Sequence, residues 1–170
     1  WAAAKDAKSI TTGESVALTL NDELFIERGH VLTVPTARPR SSNSLSVRLF
    51  WLSRDPLRQG ESLTLKLATA EYDVTVDSID TVIDVSDLSR HRGTEVPQNG
   101  IAEVTLRSRS TITYELFHDL PALGRAVLLD GYDVVGGCII EGGQDIEIAS
   151  RNLTAVTQSV KAEERQATNG

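Results

Sequence analysis

Residues 44–67 read SLSVRLFWLSRDPLRQGESLTLKL. Leu45, Val47, Leu49 and Trp51 alternate with Ser46, Arg48, Phe50 and Leu52, and Leu63, Leu65 and Leu67 alternate with Ser62, Thr64 and Lys66. A period of two puts successive side chains on opposite faces of a strand. The stretch predicts two β-strands joined as a hairpin through a connection that carries Pro56 and Gly60. Phe50 and Leu52 interrupt the polar face of the first strand. A strand that is apolar on both faces near its end touches a second element, such as a neighbouring barrel or a packed loop.

Working outward, the same pattern recurs downstream. Tyr72, Val74 and Val76 share one face, and the phase then slips so that Ile79 takes over, which predicts a β-bulge. Asp84 to Leu88 reads as a short helical turn, and residues 86–98 as a polar loop with Gly93 and Pro97. A strand follows at 100–107, with Ala102, Val104 and Leu106 on one side, and another at 111–116. Asp119-Leu120-Pro121 breaks the run. Residues 125–130 and 134–141 form a closing pair joined by Gly131-Tyr132-Asp133. Roughly six or seven short strands, with turns every 8–12 residues, predict an all-β domain, a closed antiparallel barrel or a sandwich. Gly136 and Gly137 inside a strand predict a bend or a close approach.

Upstream, the expected domain boundary is residues 36–43, where Arg38, Pro39, Arg40 and serines offer little to bury. Before it, Gly13-Glu14 and Arg28-Gly29 read as turns, and 16–20 and 31–34 as strands. Two or three strands do not make a stable domain alone. Residues 1–35 are therefore expected to be the C-terminal part of a barrel begun upstream. Residues 44–149 are the second unit and 150–170 a linker, with a capped helical segment from Ser159. The chain contains no methionine, at position 1 included, which predicts a piece of a longer protein.

The net charge of −7 argues against a bulk nucleic-acid binder. No apolar run reaches the roughly 20 residues of a membrane helix, and residues 1–8 lack the form of a secretion signal. The lone Cys138 excludes an internal disulfide framework and fits a reducing cytoplasm.

No self-contained catalytic motif stands out. Glu71, Asp73, Asp77, Asp80, Asp84 and Asp87 read first as solvated surface, with a hard-cation site or an acidic docking edge as alternatives. His30, His91, His118 and Cys138 have no zinc spacing. His118-Asp119 has the composition of half a catalytic pair, but no serine sits on a GxSxG elbow. Cys138 reads as a small buried hydrophobe. Gly136-Gly137 and Gly142-Gly143 lack the Lys-Ser/Thr and helix of a phosphate loop. Arginines cluster at 38–58 and again at 90–109, as solvated charge or as a face for RNA or an acidic partner.

Several separated motifs together resemble a known family. Residues 13–20 (GESVALTL), Asp22-Glu23 and 28–32 (RGHVL) resemble the end of the second domain of translation-factor-type GTPases. The nearest resemblance is to the GTPase large subunit of sulfate adenylyltransferase (ATP sulfurylase), including its fusions to adenylylsulfate kinase. Phe50-Trp51-Leu52, Pro56-Leu57, Gly60 and Leu65-Lys66-Leu67 resemble the opening of that family's third domain. GRAVLLD at 124–130 and VGGCII at 135–140 resemble its closing pair, and VKAEERQATNG at 160–170 the lead-in to a kinase domain. Residues 120–125, LPALGR, depart from the family's usual Asn-Arg-x-Thr-Gly-like stretch, and the last strand lacks its more common Gly-Ala-Gly-Met.

The resemblance implies a translation-factor-type, domain III-like barrel preceded by the end of a domain II-like one. It implies a non-catalytic part of the large subunit, with no cofactor of its own, in a parent that uses GTP, ATP and Mg. Partners are the catalytic small subunit and the parent's own GTPase and kinase domains. The barrel positions the small subunit and relays the GTPase state. The alternative is a translation-GTPase barrel that binds tRNA or the ribosome. Phe50, Trp51, Arg54 and Arg58 are the candidate interface, because an aromatic beside arginines is a common interface composition. Trp51 reads equally well as core.

Overall fold

The computed structural model describes residues 9–17, 23–85, 87 and 89–145. Its strands are β1 (Arg40–Trp51), β2 (Leu57–Arg58), β3 (Ser62–Leu67), β4 (Ala70–Ile83), β5 (Arg90–His91), β6 (Glu95–Val96), β7 (Ile101–Tyr114), β8 (Arg125–Asp130) and β9 (Asp133–Asp145); one short helix, α1 (Pro121–Gly124), precedes β8. Strands β3, β8, β9, β1, β7 and β4 follow one another in the sheet, and β3 also pairs with β4, so the sheet closes into an antiparallel barrel. β5 pairs with the end of β4, and β2 and β6 pair with each other.

The interior is what the alternation predicts. Leu45, Val47, Leu49 and Trp51 point inward from β1, Leu63, Leu65 and Leu67 from β3, and Ala102, Val104 and Leu106 from β7. Each fully buried leucine or valine contributes about 1.5–3 kcal/mol. β2 and β6 bring Leu57 and Val96, both fully buried, into the same core. The expected slip in β4 is present twice, between Val76 and Ser78 and between Ile79 and Thr81. These irregularities let one long strand pair first with β3 and then with β7 as it follows the barrel wall. β8 and β9 form the expected closing hairpin.

Four expectations need correction. The strands at 44–52 and 62–67 are not a hairpin: β1 lies between β7 and β9, and β3 between β4 and β8. The connection between them instead places β2 against β6. The strands expected at 100–107 and 111–116 are one continuous β7. Residues 31–34 form no strand; Leu32 and Val34 are exposed and pair with no strand among the described residues. Finally, β1 starts at Arg40, inside the stretch read as a linker.

Ser42 explains that last difference. It is fully buried, yet its hydroxyl lies 2.7 Å from the Ser44 carbonyl and 2.6 Å from the Gln144 carbonyl, and accepts from the Ser44 N–H at 3.0 Å. A small hydroxyl that satisfies itself on a bulged strand can be buried where a polar composition suggests solvent. Ser42→Ala is expected to lower stability by about 1–3 kcal/mol, because it leaves buried backbone groups without that partner; urea denaturation measures it.

The expected turns at Gly13 and Gly29 are present, with His30 N–H donating to the Glu27 carbonyl at 3.2 Å. The Gly29 turn rests on the β3–β4 connection. Its N–H donates to Thr69 Oγ1 at 3.1 Å, and a Cβ on Gly29 would stand 2.9 Å from that of Ala70. Asp84 N–H donates to the Ser89 carbonyl at 3.0 Å. Ser86 and Leu88 of the expected helical turn, Leu18–Leu20 of the first strand, and the expected helix from Ser159 lie outside the described residues.

Candidate docking surface

The four interface residues expected from the sequence do not form one patch. Phe50 and Trp51 are neighbours in β1 and so face opposite sides of the sheet. Phe50 is 41 % exposed on the outside, and Trp51 is 3 % exposed in the core. The Trp51 indole N–H donates to the Asp55 carbonyl at 2.7 Å, so even its polar edge is used internally. Arg58 is exposed, but its Nε lies 3.2 Å from Glu95 Oε2, the residue opposite it in β6. Arg54 is exposed and, among the described residues, has no carboxylate partner.

Phe50 instead belongs to a row that crosses the outer face of the sheet. The register aligns Val127 of β8, Gly137 of β9, Phe50 of β1, Ile101 of β7 and Ile83 of β4. Every side chain in this row is apolar, and Gly137 has none. A Cβ on Gly137 would meet nothing nearer than the Ala126 carbonyl at 4.0 Å, so the glycine leaves a notch between Val127 and Phe50. A shallow hollow of about 450 Å³ opens here, lined by Phe50, Leu52, Ile101, Gly137 and Ile139 among others. The outward phenylalanine was legible in the sequence as a break in alternation. Its companions come from five strands, and no local pattern unites them.

The adjoining row is charged: Arg125, Ile139, Arg48, Glu103 and Thr81. Arg48 Nη2 stands 2.8 Å from Glu141 and 3.6 Å from Glu103, and Arg90 reaches Glu103 at 3.2 Å. The acids beside the apolar row are thus neutralised. Arg125, on the exposed end, has no carboxylate partner among the described residues.

The remaining sequence candidates are accounted for elsewhere. Glu71 pairs with Lys66 at 3.1 Å, and Asp77 with Arg107 at 2.9 Å. Each carboxyl is held below its ordinary value, first by the hydrogen bond from that partner. Asp80 accepts from Ser78 and Thr105, and Asp87 from the Ser89 N–H. Among the described residues no group of three or more His, Cys, Asp or Glu could hold a metal ion. His118 Nε2 lies 3.1 Å from Asp119 Oδ1, with both side chains largely exposed.

Cys138 is buried on the inner side of β9, as the sequence suggests, and burial pushes its thiol up to about 12 from an ordinary 9.0. Below 9 both folded and unfolded chains keep the proton. Between 9 and 12 the unfolded chain releases it and the folded chain does not. This residue is therefore expected to reduce stability by about 1.4 kcal/mol per pH unit across that window. Urea midpoints of wild type and Cys138→Ala between pH 8 and 11 read the difference; parallel slopes would contradict it.

A closed antiparallel barrel with a short helix before its final hairpin is the barrel type of translation-factor GTPases. Crystal structures of sup35 complexed with GDP and with GMPPNP superpose with TM-scores of 0.66 and 0.65 at 17 % identity, each covering 71 % of this chain and 30 % of that one. The family described as GTP-eEF1A C-terminal domain-like matches residues 44–141, and the chain belongs to it. It is also homologous to sulfate adenylyltransferase subunit 1. The Shewanella oneidensis protein is 30 % identical over 148 residues, 83 % of this chain and 30 % of that protein. The "Bifunctional enzyme NodQ" of Rhizobium sp. (strain N33) is 27 % identical over 125 residues, 74 % of this chain and 19 % of that protein. The chain spans well under half the length of these curated relatives. No helix among the described residues is long and apolar enough to cross a membrane.

Proposed function

We propose that this chain is the non-catalytic barrel portion of a GTP-dependent sulfate adenylyltransferase large subunit. In the complete assembly ATP and sulfate become adenylyl sulfate on a separate small subunit, and a GTPase domain of the parent hydrolyses GTP, with Mg at the nucleotides. The barrel holds the small subunit in place and relays the GTPase state by rigid rotation between domains. The segment before Arg40 belongs to a preceding barrel. Residues 160–170 lead toward an adenylylsulfate kinase domain, a reading supported by their resemblance and by similarity to a bifunctional relative. The single buried cysteine fits work in the cytoplasm.

The observation that carries the docking role is the apolar row centred on Phe50. A row of apolar side chains on the outside of a closed barrel contributes nothing to the barrel's own core, and such patches mark interaction sites. Calorimetric titration with the catalytic small subunit of ATP sulfurylase from the same cell tests it. Saturable one-to-one binding is expected, weakened about 100-fold by Phe50→Asp, the size of a central hot spot. Because Phe50 is outside the core, the variant keeps its urea midpoint. Absence of heat at tens of micromolar with folded protein would overturn the assignment.

A further inference from the structure

We infer that the Phe50 row seats an acidic amphipathic helix of the catalytic subunit; this rests on the docking role proposed above and specifies what docks.

Geometry narrows the occupant first. Each strand of the row is already paired on both sides where it crosses: Val127 has Lys66 of β3 beyond it, and Ile83 has Arg90 of β5. No strand edge is free along this face, so a partner cannot add a strand to it. It must dock through side chains. A helix laid in a groove is the recurring way to do this with a line of apolar anchors. Strands about 4.8 Å apart make the row about 19 Å long. At 1.5 Å per residue this matches about 13 residues of helix. The notch at Gly137, flanked by Val127 and Phe50, gives one side chain of such a helix a place to enter.

Charge narrows it further. The acids at the rim are engaged: Glu103 and Glu141 with Arg48, Glu103 also with Arg90, and Glu71 with Lys66. Arg125, one strand position from Val127, and Arg54, two residues beyond Leu52, have no carboxylate partner among the described residues. A face whose unspent charges are all positive is complementary to a helix with acids flanking its apolar stripe.

The test uses the same titration with three more variants. Arg125→Glu is expected to weaken binding about 10-fold or more, and Arg54→Glu in the same direction, both effects shrinking as salt is raised. Arg109→Glu, at another exposed arginine on β7, is expected to change binding less than about 2-fold. A photo-crosslinking benzoylphenylalanine in place of Val127 should capture one helical segment of the catalytic subunit with acids beside apolar residues at i, i+3, i+4 and i+7. Loss of binding by Phe50→Asp with no effect of Arg125→Glu or Arg54→Glu would overturn the acidic helix and leave the docking role standing. Capture of a loop or strand segment would do the same. Equal losses at Arg109 and Arg125 would show a general charge effect and overturn it too. No binding by the wild-type chain would overturn both readings, and leave the parent's own GTPase domain as the occupant to test next.

Discussion

Replacing Trp51 by alanine is expected to lower the stability of the barrel by about 3–5 kcal/mol, the cost of emptying a large aromatic site in a packed core. The indole is nearly wholly buried at the end of β1. Its ring lies against Gly136, where a Cβ would come within 3.3 Å of it, and its N–H donates to Asp55 at 2.7 Å. The backbone of the same residue ties two further segments together: its N–H donates to the Gly100 carbonyl at 2.9 Å, and its carbonyl accepts from Asn99 at 2.8 Å. Truncation thus opens a cavity where three stretches of chain meet, and the end of the barrel that carries Phe50 and Leu52 loosens with it. Trp51→Phe is expected to cost less, about 1–2 kcal/mol, since it keeps most of the ring but leaves the Asp55 carbonyl without its donor. Urea denaturation with tryptophan-independent detection, such as far-ultraviolet circular dichroism, reads both. A Trp51→Ala protein within about 1 kcal/mol of wild type would show that the ring does not hold this end together. The consequence for binding studies is direct: a loss of partner affinity in Trp51→Ala reports on the fold, whereas Phe50→Asp reports on the surface.

Gly124→Ala is the second large effect, expected to cost about 3 kcal/mol, at the upper end for forcing extra volume into a packed site. A methyl group there would lie 2.4 Å from Phe117 Cα and 2.5 Å from Phe117 N. These are backbone atoms with no rotamer to move aside. The Leu116–Phe117 segment is itself anchored, with Phe117 N–H donating to the Ile140 carbonyl at 3.0 Å, while Glu115 N–H donates to the Leu123 carbonyl at 3.0 Å. The added carbon must push α1 away from the end of β7 or pull Phe117 off β9. Gly131→Ala is the internal control. Its φ of 58° disfavours a side chain, but nothing lies within 4 Å, so its cost is expected to stay near 1–2 kcal/mol, the steric cost of the left-handed region. Equal costs at the two positions would show that conformation, not collision, governs this part of the barrel.

The departure of residues 120–125 from the resemblance acquires a physical meaning here. Leu120-Pro121-Ala122-Leu123-Gly124 forms a single turn of helix that packs on backbone rather than on side chains. What decides this stretch is the close approach at Gly124, and many sequences around one small residue can satisfy it.

Much of the barrel was legible because burial on one face of a strand writes itself as alternation. The inward sets on β1, β3 and β7, the slip in β4, and the β8–β9 hairpin around Gly131 follow from that signal and from turn chemistry. Alternation says which side of a strand faces the core and nothing about which strand lies beside it. The hairpin expected across 44–67 failed for that reason: β1 takes β7 and β9 as neighbours, partners more than 45 residues away in the chain. Ser42 was illegible for another reason, because the groups that satisfy its hydroxyl belong partly to Gln144.

The candidate surface divides in the same way. The sequence by itself determined that β1 carries an apolar side chain on its outer face, since Phe50 breaks a pattern of two. It also determined that this barrel resembles those of translation-factor-type GTPases and sulfate adenylyltransferase large subunits. Only the tertiary structure decided that Trp51 is core while Phe50 is surface, that Arg58 is spent on Glu95, and that Val127, Gly137, Ile101 and Ile83 stand in line with Phe50. The reason is register: a row across a sheet is fixed by hydrogen bonds between distant strands, and each bulge shifts it by a residue, so a surface shared by five strands exists only once all of them are paired.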